Sequence, residues 1–93
     1  MLDLTKLLPG PLATKHLAEM GASVLKVEGP ASDGQEDGTR HMGLTRADRE
    51  DGRPSLTFRA LNEGKQIVEI DLRSEAGRAE LLSRVSKVDL LVE

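Results

Sequence analysis

Two groups of residues in this sequence are equipped for chemistry. The first is the segment Lys6-Leu7-Leu8-Pro9-Gly10-Pro11, a cation and two leucines followed by a Gly-Pro step that opens a helical pattern. The start of a helix offers unpaired backbone N–H groups and the positive end of the helix dipole, which together favour an anion. The second group is scattered: Arg40, Lys65, His16 with Glu19 at i,i+3 spacing, His41, and the acidic stretch Asp33-Gly34-Gln35-Glu36-Asp37-Gly38. None of these reads as a metal centre. His16 and Glu19 have no second carboxylate–histidine pair beside them. The acidic stretch lacks the alternating oxygen ligands and closing glutamate of an EF-hand, so it reads as a solvated loop. Ser23 and His41 supply the types for a nucleophilic triad, yet no nucleophile elbow frames the serine. Cysteine is absent, which removes thiolate sites, disulfides and cysteine nucleophiles.

The elements that must position these residues alternate between strand and helix patterns. Met1 to Leu4 is a short apolar run that reads as the stub of a strand. Pro11 suits a first helical position, and Ala13, Leu17 and Met20 recur at helical spacing, so a helix is expected over 11–20 with Gly21 ending it. Ser23 to Val27 reads as a second strand. Gly29 to Pro54 shows no sustained period and reads as one long irregular loop. Ser55 to Leu61 is expected to form a helical turn or two. Gln66 to Leu72 reads as a strand with Val68, Ile70 and Leu72 on one face and Glu69 and Asp71 on the other, Ile67 being the exception. Ser74 is a suitable N-cap for a helix running to about Ser86, with Leu81, Leu82 and Val85 inward and Glu80 paired with Arg84. Asp89 to Glu93 opens a further strand. Strands alternating with helices imply an α/β fold, a Rossmann-like layered parallel sheet with right-handed crossovers, within a single unit over 1–93.

Composition bounds the classes of function. The 93 residues are 38% hydrophobic and 31% charged, ordinary values for a soluble globular chain. Lys plus Arg is 13 against 16 for Asp plus Glu, and Phe58 is the single aromatic, so a nucleic-acid surface of cations interleaved with stacking rings is not expected. The N-terminal stretch is too polar for a signal peptide and no apolar run approaches bilayer length, so a cytoplasmic setting without membrane contact is the default expectation.

The order of segments resembles class III CoA-transferases, a family that includes formyl-CoA transferase, carnitine CoA-transferase and alpha-methylacyl-CoA racemase. The pieces that carry the resemblance are Leu2-Asp3-Leu4-Thr5, Pro9-Gly10-Pro11, Met20-Gly21-Ala22 and Lys26-Val27-Glu28 in the first half. In the second half they are Ala60-Leu61-Asn62-Glu63-Gly64-Lys65, Ile70-Asp71-Leu72, Ala76-Gly77-Arg78 and Asp89-Leu90-Leu91-Val92-Glu93. The Leu7–Pro11 wording leans toward the racemase-like branch. Three positions depart from the family pattern: Gly29 stands where a basic residue often follows the Lys-Val-Glu strand, Gln66 follows Lys65 where a second basic residue is usual, and Leu8 replaces a glutamine.

The resemblance implies an acyl-CoA or CoA ligand and no metal. It further implies that Leu7, Leu8, Ile70 and Leu72 form an apolar slot for the adenine, with Lys6, Arg40 and Lys65 as partners of the CoA phosphates. Taken without it, the four apolar residues fit plain core packing and the cations fit solvated surface. It also implies an N-terminal, CoA-binding part of a longer enzyme. The family's catalytic aspartate lies beyond this sequence, so no catalytic residue is expected here. Self-association or a complementing C-terminal chain is the expected partnership. The alternative is an α/β interaction module that performs no chemistry.

Overall fold

The computed structural model describes residues 1–93. Its elements are β1 (Leu2–Asp3), α1 (Pro9–Glu19), β2 (Leu25–Glu28), α2 (Arg46–Asp51), α3 (Leu56–Asn62), β3 (Gln66–Glu69), α4 (Glu75–Val85) and β4 (Leu91–Val92), with short 3-10 turns at Ala31–Asp33 and Gly38–His41. The strands form one sheet in the order β3-β2-β1-β4, and every pairing is parallel. The expected layered α/β sheet is therefore present.

The register explains how the sheet is covered. Leu2 pairs with Leu25 and Asp3 with Lys26, and Lys26 in turn pairs with Ile67. Because side chains alternate along a strand, Leu2, Leu25, Val27, Val68 and Ile70 fall on one face while Asp3, Lys26, Glu28 and Glu69 fall on the other. The first face is the apolar core. Leu2, Val27 and Ile70 are buried there, and Leu4, Leu25, Val68, Leu72 and the α4 residues Leu81 and Val85 pack against them. The second face is covered by α1, α3 and the 29–55 segment, and three of its charged residues are buried too: Asp3, Lys26 and Glu28 are all at most 4% exposed, while Glu69 at the sheet margin is exposed. Opposite placement of α1 and α4 follows from right-handed crossovers, since β1 to β2 steps one way along the sheet and β3 to β4 steps back past both.

Several expected boundaries are corrected. The segment 29–54 is not structureless, since it holds two 3-10 turns and α2, whose Thr45 and Asp48 form a reciprocal capping box. The inward face of α1 is Pro11 and Thr14, while Ala13 and Met20 point to solvent. The reason is chemical: α1 packs on the polar face, where the Thr14 hydroxyl donates to Asp3 at 2.6 Å, so apolar periodicity marks the wrong stripe. On α4, Leu81 and Val85 turn inward as expected, but Leu82 is 70% exposed. Ser55 and Ser74 cap α3 and α4 through the Phe58 and Gly77 amides, and Arg84 pairs with Glu80 at 3.2 Å. No helix is long and apolar enough to cross a membrane.

Candidate functional site

All four strands point their carboxyl ends to one edge. The chain leaves β1 toward α1 on the polar face, and it reaches β4 from α4 on the apolar face. The crevice outside β1 and β4 is therefore the topological switch point of the sheet, the place where open α/β folds bind ligands. The turn Thr5–Leu8 lies beside it, tied to β4 by the Leu4 amide donating to the Val92 carbonyl at 2.8 Å.

That turn has an unusual backbone. Leu7 is the one non-glycine residue with a positive φ, +69°. A left-handed leucine costs roughly 1–2 kcal/mol and persists only where its surroundings fix it. The fixing contacts are specific. The Leu7 amide donates to Asp37 Oδ1 at 3.2 Å, and the Lys26 ammonium donates to the Thr5 carbonyl at 2.9 Å. Gly10 permits the turn to close on the helix, because a Cβ there would stand 2.3 Å from the Thr5 side chain. As a result Leu7 and Leu8 face outward, 53% and 57% exposed.

The start of α1 is a narrower anion site than the Gly-Pro step implies. Of its first four amide positions, Leu8 to Pro11, two are proline and carry no N–H, so the Leu8 and Gly10 amides are what the first turn can offer. The exposed cation beside them is Lys6, whose ammonium donates to the Gln35 carbonyl at 2.5 Å. The Gln35 side chain donates onward to Asp71 at 3.4 Å, so this residue bridges the β1 turn to the end of β3.

Beneath the edge lies a buried polar network. Asp37 accepts from Lys26 Nζ at 2.9 Å and from the Thr39 amide and hydroxyl, and both Lys26 and Asp37 side chains are fully buried. Glu28 accepts a two-pronged contact from Arg40, 2.9 Å to Nε and 2.6 Å to Nη2, and the Asp37 amide donates to the same carboxylate. The Arg40 guanidinium lies 4.0 Å from the centroid of the Phe58 ring. A second cluster joins Asp3 to Thr5, Thr14 and Lys65. Burial by itself pushes these carboxyl groups up, but the bonds they accept win. Thr14 and Thr5 with Lys65 hold Asp3 below the usual range, Arg40 and the Asp37 amide do so for Glu28, and Lys26 with Thr39 does so for Asp37. Burial lowers the Lys65 ammonium, with Asp3 opposing it.

The residues expected to make the site divide into two groups. Leu7, Leu8 and Lys6 stand exposed at the carboxyl edge. Ile70 is a core residue, 2% exposed, and Leu72 packs half-buried against the same core. Arg40 is engaged by Glu28, and Lys65 is enclosed by Asp3, the Pro11 carbonyl and Asn62. None of the five surface hollows is lined by Leu7, Leu8, Ile70 or Leu72. The leucines and the β3 tip share an edge, with β2 between them, but not a cavity. One hollow of about 250 Å³ does open near this edge, between Glu28, Gly29, Glu36 and Arg40 on one side and Ile67 to Glu69 on the other. Gly29 is demanded there, since a Cβ would fall 2.2 Å from the Gln35 side chain. No cluster of three or more acidic or histidine side chains is arranged to hold a metal. Sequence reasoning missed Lys26, Asp37 and Asp3; for Lys26 and Asp3 the available signal was charge at alternate positions of strands whose other residues are apolar, while Asp37 lies in a loop and carried no such signal.

An open parallel sheet in the order β3-β2-β1-β4, with a shaped turn at its switch point, defines a Rossmann-like α/β chain. CoA-transferase family III matches residues 1–93, and the chain belongs to that family. It is 38% identical over 93 residues to the acetyl-CoA:oxalate CoA-transferase of Acetobacter aceti, covering all of this chain and 22% of that protein. It is 37% identical, with the same coverage, to the succinyl-CoA:mesaconate CoA-transferase of Haloarcula hispanica. The crystal structure of Rv3272 from Mycobacterium tuberculosis superposes with a TM-score of 0.78 at 32% identity, covering 99% of this chain and 24% of that one. The chain thus spans about a fifth of the length of the relatives it matches.

Proposed function

We propose that this chain contributes a coenzyme A contact surface to CoA transfer, with the turn Thr5–Leu8 at the switch point as its centre. The observation that carries the reading is the left-handed Leu7, which holds two leucines outward at the edge where such sheets bind ligands. Leu7 and Leu8 offer apolar cover to the adenine or the pantetheine arm. The Leu8 and Gly10 amides and the donors of Lys6 not given to the Gln35 carbonyl meet a phosphate, while Arg40 and Lys65 act one layer below by keeping the edge in shape. Transfer rather than racemisation is the chemistry that the names of the relatives support. In that chemistry a carboxylate attacks the thioester carbonyl and releases CoA as thiolate, leaving a mixed anhydride; the donor acid is then freed and the thiolate ends as the thioester of a new acid. Asp3, Glu28 and Asp37 are buried and bonded, so none of these three stands ready as that nucleophile. The chain binds and orients; the bond-breaking carboxylate comes from elsewhere.

The test is a titration of the purified chain with CoA while the thermal midpoint is followed. A ligand of the folded state raises the midpoint, by about 2.7 kcal/mol of stabilisation at a hundredfold excess over Kd. Leu8→Asp is expected to abolish the rise, and Ile70→Val to lower the midpoint while leaving the rise intact.

A second reading concerns partnership. Leu82, Leu90 and Leu91 are all more than 40% exposed, and β4 is an open edge. An apolar strip beside an unpaired strand favours association, with another copy or with a chain carrying the rest of the family fold. Sedimentation velocity across a concentration series tests this, and a concentration-independent monomer would refute the first form of it.

A further inference from the structure

We infer that Asp37 is the positioning residue of the switch-point turn, held in place by the buried ammonium of Lys26. The inference deepens the coenzyme reading above and rests on it for its functional half. Asp37 is at the centre of three separate segments. Its Oδ1 accepts from the Leu7 amide in the turn after β1, and from the Thr39 amide and hydroxyl in the 3-10 turn. Its Oδ2 accepts from Lys26 in β2, and its own amide donates to Glu28 at the end of that strand. Lys26 donates a further bond to the Thr5 carbonyl, so the pair grips the turn at both of its ends.

The energetic logic is direct. A buried ion pair is costly to assemble and adds little net stability compared with apolar residues of similar volume. What this one does is specific: it places a charged acceptor where an amide must point for Leu7 to keep φ at +69°. A charge-assisted bond of that kind offsets the strain of a left-handed leucine. Without the acceptor, Leu7 returns to the ordinary φ < 0 region, and Leu7 and Leu8 no longer project together from the edge. Asp37 touches no ligand in this account; it acts through the turn.

The experiment compares two charge-free double variants, Lys26→Met/Asp37→Asn and Lys26→Met/Asp37→Ala. Neither leaves an orphan buried charge, and they differ in whether an acceptor remains for the Leu7 amide. Hydrogen exchange at the Leu7 amide is the structural readout, and the CoA-induced rise in thermal midpoint is the functional one. Asp48→Asn, at a buried carboxylate that bonds Thr45, Arg53 and Arg59 and not the turn, controls for general loosening. The alanine double variant is expected to exchange Leu7 about tenfold faster than the asparagine one. It is also expected to lose most of the coenzyme shift that the asparagine variant keeps. Asp48→Asn changes neither Leu7 exchange nor the shift. Equal Leu7 exchange in the two double variants would overturn the inference, whatever CoA does. Faster exchange with an undiminished coenzyme shift would overturn its functional half. If CoA shifts no variant, wild type included, the coenzyme reading fails, and the exchange comparison still decides whether Asp37 holds the turn.

Discussion

The two faces of the sheet are built on opposite principles. One carries Leu2, Leu25, Val27, Val68 and Ile70 beneath α4, and its contacts are dispersive and non-directional. The other carries Asp3, Lys26 and Glu28 beneath α1, α3 and the 29–55 segment, and each of these three is held by directed bonds. The apolar face tolerates adjustment: hydrophobic groups of about the right size can repack. The polar face cannot, because each donor has an assigned acceptor and a buried group left unpaired is costly. The polar face also fixes the switch-point turn. In this molecule stability is drawn from one face and the geometry of the switch-point turn from the other.

That contrast can be broken most forcefully at Lys26. Lys26→Met leaves Asp37 charged, buried and unpaired, and a loss of about 3–5 kcal/mol in denaturant unfolding is expected. Replacing both partners by the neutral pair Lys26→Met/Asp37→Asn is expected to recover most of that loss. If the single and double variants prove equally unstable, the pair is not the unit described here.

Acid comes next. Asp3, Glu28 and Asp37 have carboxyl groups held below their ordinary values in the folded state, and Asp48, bonded by the Thr45 amide and Arg53, is lowered to about 2. The unfolded chain binds protons first, so stability rises with pH through this region. The contribution is complete above the ordinary carboxylate range near about 4 and is lost as the pH falls from there through the folded values. Unfolding midpoints measured from pH 6 downward should therefore hold and then drop below about pH 4. Lys26→Met/Asp37→Asn should flatten the drop, whereas Ile70→Val should leave its shape unchanged.

On the apolar face the effects are smaller. Ile70→Val is expected to cost about 0.5–1.5 kcal/mol without disturbing the turn. Leu82→Glu, on the outer side of α4, should change folding stability by no more than about 0.5 kcal/mol while weakening any self-association seen in sedimentation.

Legibility in the sequence followed the same division. The strands, the Ser74 cap and the inward Leu81 and Val85 were readable, the strands and the inward residues because apolar periodicity reports an apolar interface. The polar face defeated that signal. Thr14 is buried where Ala13 and Met20 were expected, and the acidic stretch 33–38, expected to be solvated, contributes the fully buried Asp37. The 29–54 segment looked irregular because its order comes from long-range bonds to Lys26, Glu28 and Leu7, which no local period encodes. For the proposed site, Leu7, Leu8 and Lys6 stand exposed at the carboxyl edge of the sheet. Arg40 and Lys65 show what sequence leaves out: a cation near a loop is assigned to a ligand or to an internal carboxylate only once the fold brings that carboxylate close.

The proposed coenzyme contact is read residue by residue by amide chemical-shift mapping during a CoA titration. The shifts are expected to gather on Thr5 to Gly10, with weaker ones at Gln35 and Asp71, and to vanish in Leu8→Asp. Shifts gathered on α4 and β4, or none at saturating CoA, would contradict it.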